Sequence, residues 1–458
     1  MERNQRRGGS KEGGMVMSRD AIQEFWRARI SKHVLPFWLL VVFIFSFQLF
    51  DNFPFVRTAH LVEIPVLLFL GVFAVFHYGR TLFGKGSFSP TEILLAGLLC
   101  LALFSAFLAW LSFSQPILTG FLTERRWFRA IAGLFAFQML LSRHISWKMI
   151  KRIFLLLVFG SLVVYLAIWL FLNPESLAGG FVFVDVPSKG MRLRIVPVFV
   201  IWGAIYFALA CLMGSISMGR LASGAVAVIM TGYVVFIYKS RATILVLAGV
   251  LFLMVVMKTK RGRRIRAAAG FCLLALAILC GMFLARPKRI QRQLSGFATF
   301  ASSLTQKRGE MDASLANRLS QATVAWWSIS RSPRTLLFGN GRLSRYWEGE
   351  ARESFGHFYP MDIGWLGIVF LYGFFGFVLV NVSFLIAWNL SRKNTCKNED
   401  IFLDSLKWWL VYLFFRSVFN GVVVATPALV LVPLFLISWR CRQKTQDSPI
   451  GNEEGREL

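Results

Sequence analysis

Acidic residues are scarce in this chain of 458 residues: 23 Asp and Glu stand against 51 Lys and Arg, a formal net charge of +28. Charged residues of either sign make up only 16% of it, too few to keep a soluble chain of this length dissolved. Cysteine is sparse as well. Cys100, Cys211, Cys272 and Cys280 fall in apolar runs, and Cys396 and Cys441 lie in segments expected in the cytoplasm. With no CxxC pair among them, neither a disulfide framework nor a cysteine metal site is expected. Internal repeats are missing, which disfavours the duplicated halves of many secondary transporters. No cleavable signal peptide opens the sequence; the first ~33 residues are polar and basic and read as a cytoplasmic tail.

Apolar residues are abundant, at 56% of the chain, with a mean hydropathy of +0.59. A spanning helix needs ~20 mainly apolar residues, and runs of about that length lie near 34–50, 61–78, 91–113, 127–142, 153–172, 194–213, 221–237, 242–257, 267–285, 362–389, 406–424 and 426–440. The expected fold is an all-α polytopic membrane protein of about 12 spans. Its expected divisions are a cytoplasmic tail at 1–33, spans 1–9 over 34–285, an external loop at 286–361, spans 10–12 over 362–440 and a cytoplasmic tail at 441–458.

Orientation follows from the basic loops. Threading the spans from a cytoplasmic N-terminus puts Arg80 and Lys85, the run Arg143 to Arg152, the cluster Lys258 to Arg266, and Arg392-Lys393 on the inner side. Much of the positive charge is thereby accounted for, and nucleic-acid binding is not expected, since no soluble domain remains to do it. The long outer loop is basic too, with only five acids: Glu310, Asp312, Glu348, Glu350 and Glu353. Long loops cross regardless of charge, so this excess points to an anionic partner on the outer face. Within it, Met311 to Ser330 has helical spacing, Pro333 interrupts, and Phe338-Gly339-Asn340-Gly341 reads as a tight turn.

Three segments in this order carry a family resemblance: Ser240-Arg241-Ala242-Thr243 at an outer helical tip; Arg318 and Trp326 followed by Leu336-Leu337-Phe338-Gly339-Asn340-Gly341; and Asp362-Ile363-Gly364-Trp365-Leu366-Gly367 running into Tyr372-Gly373-Phe374-Phe375-Gly376. Together they resemble the O-antigen polymerase and O-antigen ligase superfamily of lipid-linked glycan enzymes, over roughly 235–385 in detail. The resemblance implies a glycosyltransferase in the bacterial cytoplasmic (inner) membrane, with both termini cytoplasmic. It implies a polyprenyl-pyrophosphate-linked oligosaccharide as donor, reaction at the outer face, and neither a metal nor another cofactor. Membrane lipids and a chain-length regulator are the further partners it suggests. Ligases of the family carry a His at the start of the last motif; here that interval lands on Asp362, and His357 sits five residues too early. This departure favours a polymerase, with a ligase and a lipid-linked glycan flippase as alternatives. Polymerases also carry Arg-x10-Gly loops, a spacing met by Arg192 to Gly203 and Arg345 to Gly356 but also by chance in so Arg- and Gly-rich a chain.

Transfer from a lipid pyrophosphate requires stabilising the leaving group's charge and removing a proton from the acceptor hydroxyl. Arginine suits the first task, since its planar fork stays charged and engages phosphate oxygens in pairs. Candidates for that clamp are Arg241, Arg318, Arg342, Arg345, Arg192 and Arg194, each of which could instead be an interfacial or solvated cation. Arg416 is distinct because it lies inside an apolar run, where an ionisable group faces a cavity or a partner. Asp362 and His357 are the candidate bases; Asp362 also reads as the N-cap of the helix that follows, and its role as base would call for burial.

Overall fold

The computed structural model describes residues 36–44, 46–47, 90–141, 145–171, 183–186, 190–193, 196–214, 219–259, 313–344, 347, 358–392 and 400–446. Beyond opening helical residues at 36–44 and 46–47, the long helices are α1 (Pro90–Phe113), α2 (Ile117–Leu141), α3 (Trp147–Phe171), α4 (Val198–Met213), α5 (Gly219–Tyr233) and α6 (Arg241–Lys258). Further along the chain come α7 (Ala313–Ser330), α8 (Pro333–Phe338), a 3-10 turn at Pro360–Ile363, α9 (Trp365–Arg392), α10 (Ile401–Phe419), α11 (Val422–Ala425) and α12 (Ala428–Gln446). Five helices among the described residues are long and apolar enough to cross a membrane: Thr91–Phe113, Trp147–Phe171, Gly219–Tyr238, Arg241–Lys258 and Trp365–Leu390. The chain is thus a helical membrane protein. The expected runs 61–78 and 267–285 lie outside the described residues.

Three differences from the sequence expectation have local causes. The loop expected at 114–126 shrinks to Ser114–Pro116, because α2 starts at Ile117; Glu124, Arg125, Arg126 and Arg129 dilute its apolar signal without opposing a helix. The loop expected near 173–193 holds an antiparallel hairpin, β1 (Phe183–Val186) with β2 (Gly190–Leu193), so the all-α reading gains one small sheet. Cys441 is disulfide-bonded, contrary to the expectation of no disulfide, while Cys100 and Cys211 are free.

Local signals explain the element ends. Ser332 caps α8 by accepting from Thr335 N–H at 3.2 Å, and Pro333 follows at the first helical position, where its missing N–H costs nothing. Asp400 caps α10 through Phe402 N–H at 3.0 Å. Between α5 and α6 the chain widens into a π turn, Val234–Tyr238, closed by Lys239 at φ 52°.

In lipid, apolar side chains gain little by leaving the solvent, so close packing and polar contacts hold helices together. Trp202 of α4 stacks on Trp409 of α10 at 5.4 Å and meets Phe154 of α3 at 4.6 Å. Its indole N–H donates to Ser405 Oγ at 3.3 Å, and that of Trp409 to Leu429 C=O at 3.0 Å. Such ring pairs contribute ~0.5–1.5 kcal/mol each beyond their area.

The two helix ends are tied by separate polar contacts. At one end Lys151 pairs with Asp400 at 2.8 Å, Lys258 with Asp404 at 2.6 Å, and Trp147 donates to Asp400. At the other, Arg126 donates to Ala425 C=O at 3.0 Å and Gln115 to Arg342 C=O at 3.2 Å. Basic flanks expected to share the inner side therefore meet at one end, and the candidate site residues gather at the opposite one.

At that opposite end the long loop returns into the bundle. α9 breaks at Gly373, whose φ of 65° is outside the helical range. The carbonyls of Phe370 and Leu371, released by the break, accept from Asn340 N–H and Gly341 N–H, both at 2.9 Å. A Cβ on Gly373 would collide with Leu337 C=O, and one on Gly341 with the α1 backbone at Ser105 and Ala109. Two of the motifs behind the family resemblance thus interlock backbone to backbone.

Candidate functional site

Arg416 sits in the last turn of α10, 7% exposed and surrounded by apolar residues. Among the described residues no carboxylate pairs with it. One turn earlier, Tyr412 lies beside both Arg416 and Thr243 of α6. Thr243 Oγ1 donates to Ser240 Oγ at 3.0 Å, so the Ser240 hydroxyl is engaged sideways and does not cap α6. Polar side chains therefore lie between the buried Arg416 and the Ser240-Arg241 tip, where Arg241 is half-buried.

Tyr238, Tyr412, Arg416 and Asn420 line part of a cavity of about 20 Å³. That is room for about one water-sized group, the inner end of a site rather than a substrate chamber. The Asn420 Oδ1 beside it is buried without a hydrogen-bond partner. A buried cation without an acid and a buried amide oxygen without a donor are both costly in an apolar setting. Side by side, they mark a place prepared for a polar guest.

Asp362 is brought to the same end. Gly421 N–H donates to Met361 C=O at 2.6 Å, and Gly364, at φ 60°, lies so close to the end of α10 that a Cβ would strike Val418 C=O. The turn carrying Asp362 is therefore docked on the helix end carrying Arg416. The Asp362 carboxylate is exposed and makes no hydrogen bond or ion pair among the described residues, so it is not an N-cap. The burial its role as base called for is missing as well. The strand β2, which carries Arg192, lies against the π turn leading to Arg241.

Arg342 turns elsewhere. Its Nη1 donates to Glu124 Oε2 of α2 at 3.4 Å, and Glu124 also accepts from Ser105 Oγ at 2.6 Å and Tyr372 OH at 3.0 Å. Trp127 Nε1 donates to Tyr372 OH at 3.1 Å, and the Arg342 N–H to Ser105 Oγ at 3.1 Å. Burial works against the Arg342 charge, but Tyr372 and Glu124 outweigh it and hold its pKa above the ordinary value. This guanidinium is committed to a buried carboxylate. Arg318 is exposed on α7, whose Gln321 Oε1 accepts from Tyr359 N–H at 3.3 Å beside the Asp362 turn. Arg194, Arg345 and His357 lie outside the described residues.

No family model matches the chain, and no curated protein matches it. The site therefore has to be read from its own geometry.

Sequence reasoning passed over Glu124, Ser105 and Asn420, and named Tyr372 only as part of a motif, with no role for its hydroxyl. Glu124 did leave a signal, being the only acid between Glu92 and Glu175. The others are ordinary residues until the fold brings them together. Among the described residues no group of three or more His, Cys, Asp or Glu side chains could hold a metal ion.

Proposed function

We propose that this chain is a membrane glycosyltransferase of the O-antigen polymerase type, extending a glycan carried on polyprenyl pyrophosphate in the bacterial inner membrane. The observation carrying this reading is Arg416, a buried cation that no carboxylate pairs with among the described residues, with Tyr412 and Thr243 lying between it and the Ser240-Arg241 tip. An amphiphile with an anionic head and a long apolar tail suits such a place, since its tail stays in lipid while its head reaches the cation. The motif resemblance supplies the chemistry, and the docking of the Asp362 turn beside Arg416 supplies a nearby acceptor of a proton.

In this mechanism the acceptor hydroxyl attacks the anomeric carbon of the donor glycan. A new glycosidic C–O bond forms as the bond to the pyrophosphate oxygen breaks. The hydroxyl proton passes to Asp362, and the electron pair leaves with the pyrophosphate, whose growing charge is met by Arg416 and Arg241. Charge-assisted hydrogen bonds are worth ~1.5–3 kcal/mol each. Asp362, exposed in the free protein, acts once substrate has displaced water from around it.

The test is the size of glycan formed when the purified full chain in liposomes meets a polyprenyl-pyrophosphate repeat unit. The expected product is a ladder of lengthening lipid-linked chains, lost in Arg416→Ala. Transfer only after a lipid or protein acceptor is added would identify a ligase. Glycan crossing the bilayer without any transfer would identify a flippase, and either result would overturn the polymerase reading.

A further inference from the structure

The segment expected as an external loop carries exposed apolar side chains beside two helices apolar enough to span a membrane. Leu336, Leu337 and Phe338 of α8 are exposed on the protein surface. Phe338 stacks on Phe375 of α9 at 5.4 Å and meets Phe104 of α1 edge-on at 5.8 Å. Phe104 and Phe375 are themselves exposed, on two helices apolar enough to span a membrane. Phe104 precedes the end of α1 at Phe113 by nine residues, about 14 Å along the axis, whereas half a hydrocarbon core is about 15 Å. The tip of α8 therefore packs about 14 Å along α1 from its end, as far as half a hydrocarbon core is thick.

The backbone is prepared for that depth. Irregular chain inside a membrane has to find its hydrogen bonds within the protein. The turn after Phe338 does so, using the carbonyls of Phe370 and Leu371 that the Gly373 break releases. The upper part is built for the interface. From Ala313 to Phe338 there is no Asp or Glu, while Arg318, Arg331 and Arg334 are present. Arg334 donates to Ser112 Oγ at 3.1 Å near the end of α1, and Arg331 lies 3.3 Å over the exposed Trp327 ring. Aromatic rings beside cations are the usual anchors at the headgroup level.

We propose that Arg331–Gly341 is a re-entrant element seated in the leaflet at that end, with Leu336, Leu337 and Phe338 in contact with acyl chains and Arg331 and Arg334 holding anionic lipid headgroups. Continuity of its exposed face with the lipid-facing rings of α1 and α9, together with its unopposed positive charge, assigns the occupant as an anionic leaflet. This inference is independent of the glycosyltransferase reading, and its test needs no enzymatic activity.

The experiment places an environment-sensitive fluorophore at Leu337→Cys, in the full chain with its native cysteines replaced by alanine, in vesicles of phosphatidylcholine with or without phosphatidylglycerol. The side chain is exposed, so the substitution leaves the fold intact. The expected result is a blue-shifted emission quenched more by a spin label in the upper acyl chain than by iodide. Phosphatidylglycerol is expected to deepen the contrast, and Arg331→Gln with Arg334→Gln to abolish that increment. Stronger quenching by iodide would overturn the proposal by placing the segment in water. Protection from both quenchers would overturn it by showing a protein cover, and an increment that survives the double substitution would overturn the headgroup contact.

Discussion

Two buried arginines at the same end of this molecule live in opposite circumstances. Arg342 faces Glu124, a carboxylate fully removed from solvent that also accepts from Ser105 and Tyr372. Among the described residues Arg416 has Tyr412 as a neighbour, no carboxylate, and the unpartnered oxygen of Asn420 beside its cavity. A satisfied buried pair holds parts together and leaves nothing for a ligand. An unsatisfied one is a standing cost that a ligand can remove. Arg342 is accordingly the fastener of the returning loop, and Arg416 the group we propose for binding.

The largest effect should come from breaking the satisfied side. Glu124→Ala leaves the Arg342 charge and the Tyr372 hydroxyl buried without their acceptor, and the expected loss is about 3–5 kcal/mol of stability. Thermal unfolding of the purified protein in detergent reads it directly. Next in size is Gly373→Ala, which places a Cβ at positive φ against Leu337 C=O; a loss of about 1–3 kcal/mol is expected, with new protease cleavage near the 339–341 turn. Tyr372→Phe removes one hydroxyl from Glu124 and Trp127, with an expected loss of about 1 kcal/mol in the same melt. On the other side, Asn420→Ala removes a buried oxygen that has no donor, and the melt should move by no more than about 0.5 kcal/mol either way.

Much of the frame was legible in the sequence because its signals are local. The run Met311 to Ser330 reads as a helix from its own spacing, and the structure has it from Ala313 to Ser330. Gly339 and Gly341 announced a turn, and both have φ of 80°. Arg416 stood out as a lone cation in an apolar run. What stayed hidden depends on distance along the chain. Nothing near Arg342 identifies its acceptor, which lies 218 residues away. The depth of α8 was hidden too, since Leu336-Leu337-Phe338 is far too short for a window sized to a whole span. Arg241 and Arg416 were each singled out, but that Tyr412 and Thr243 lie between their helices could be read only from the packing of α6 on α10.

The contrast between the two arginines is most directly tested by measuring the affinity of a polyprenyl pyrophosphate for the purified protein, its Arg416→Gln variant and its Arg342→Gln variant, with thermal melts of all three. The account predicts that Arg416→Gln weakens binding by about tenfold or more, the worth of one charge-assisted contact, while the melt hardly moves. Arg342→Gln should lower the melt sharply. Unchanged affinity in Arg416→Gln would contradict the assignment of Arg416 as the anion-binding group.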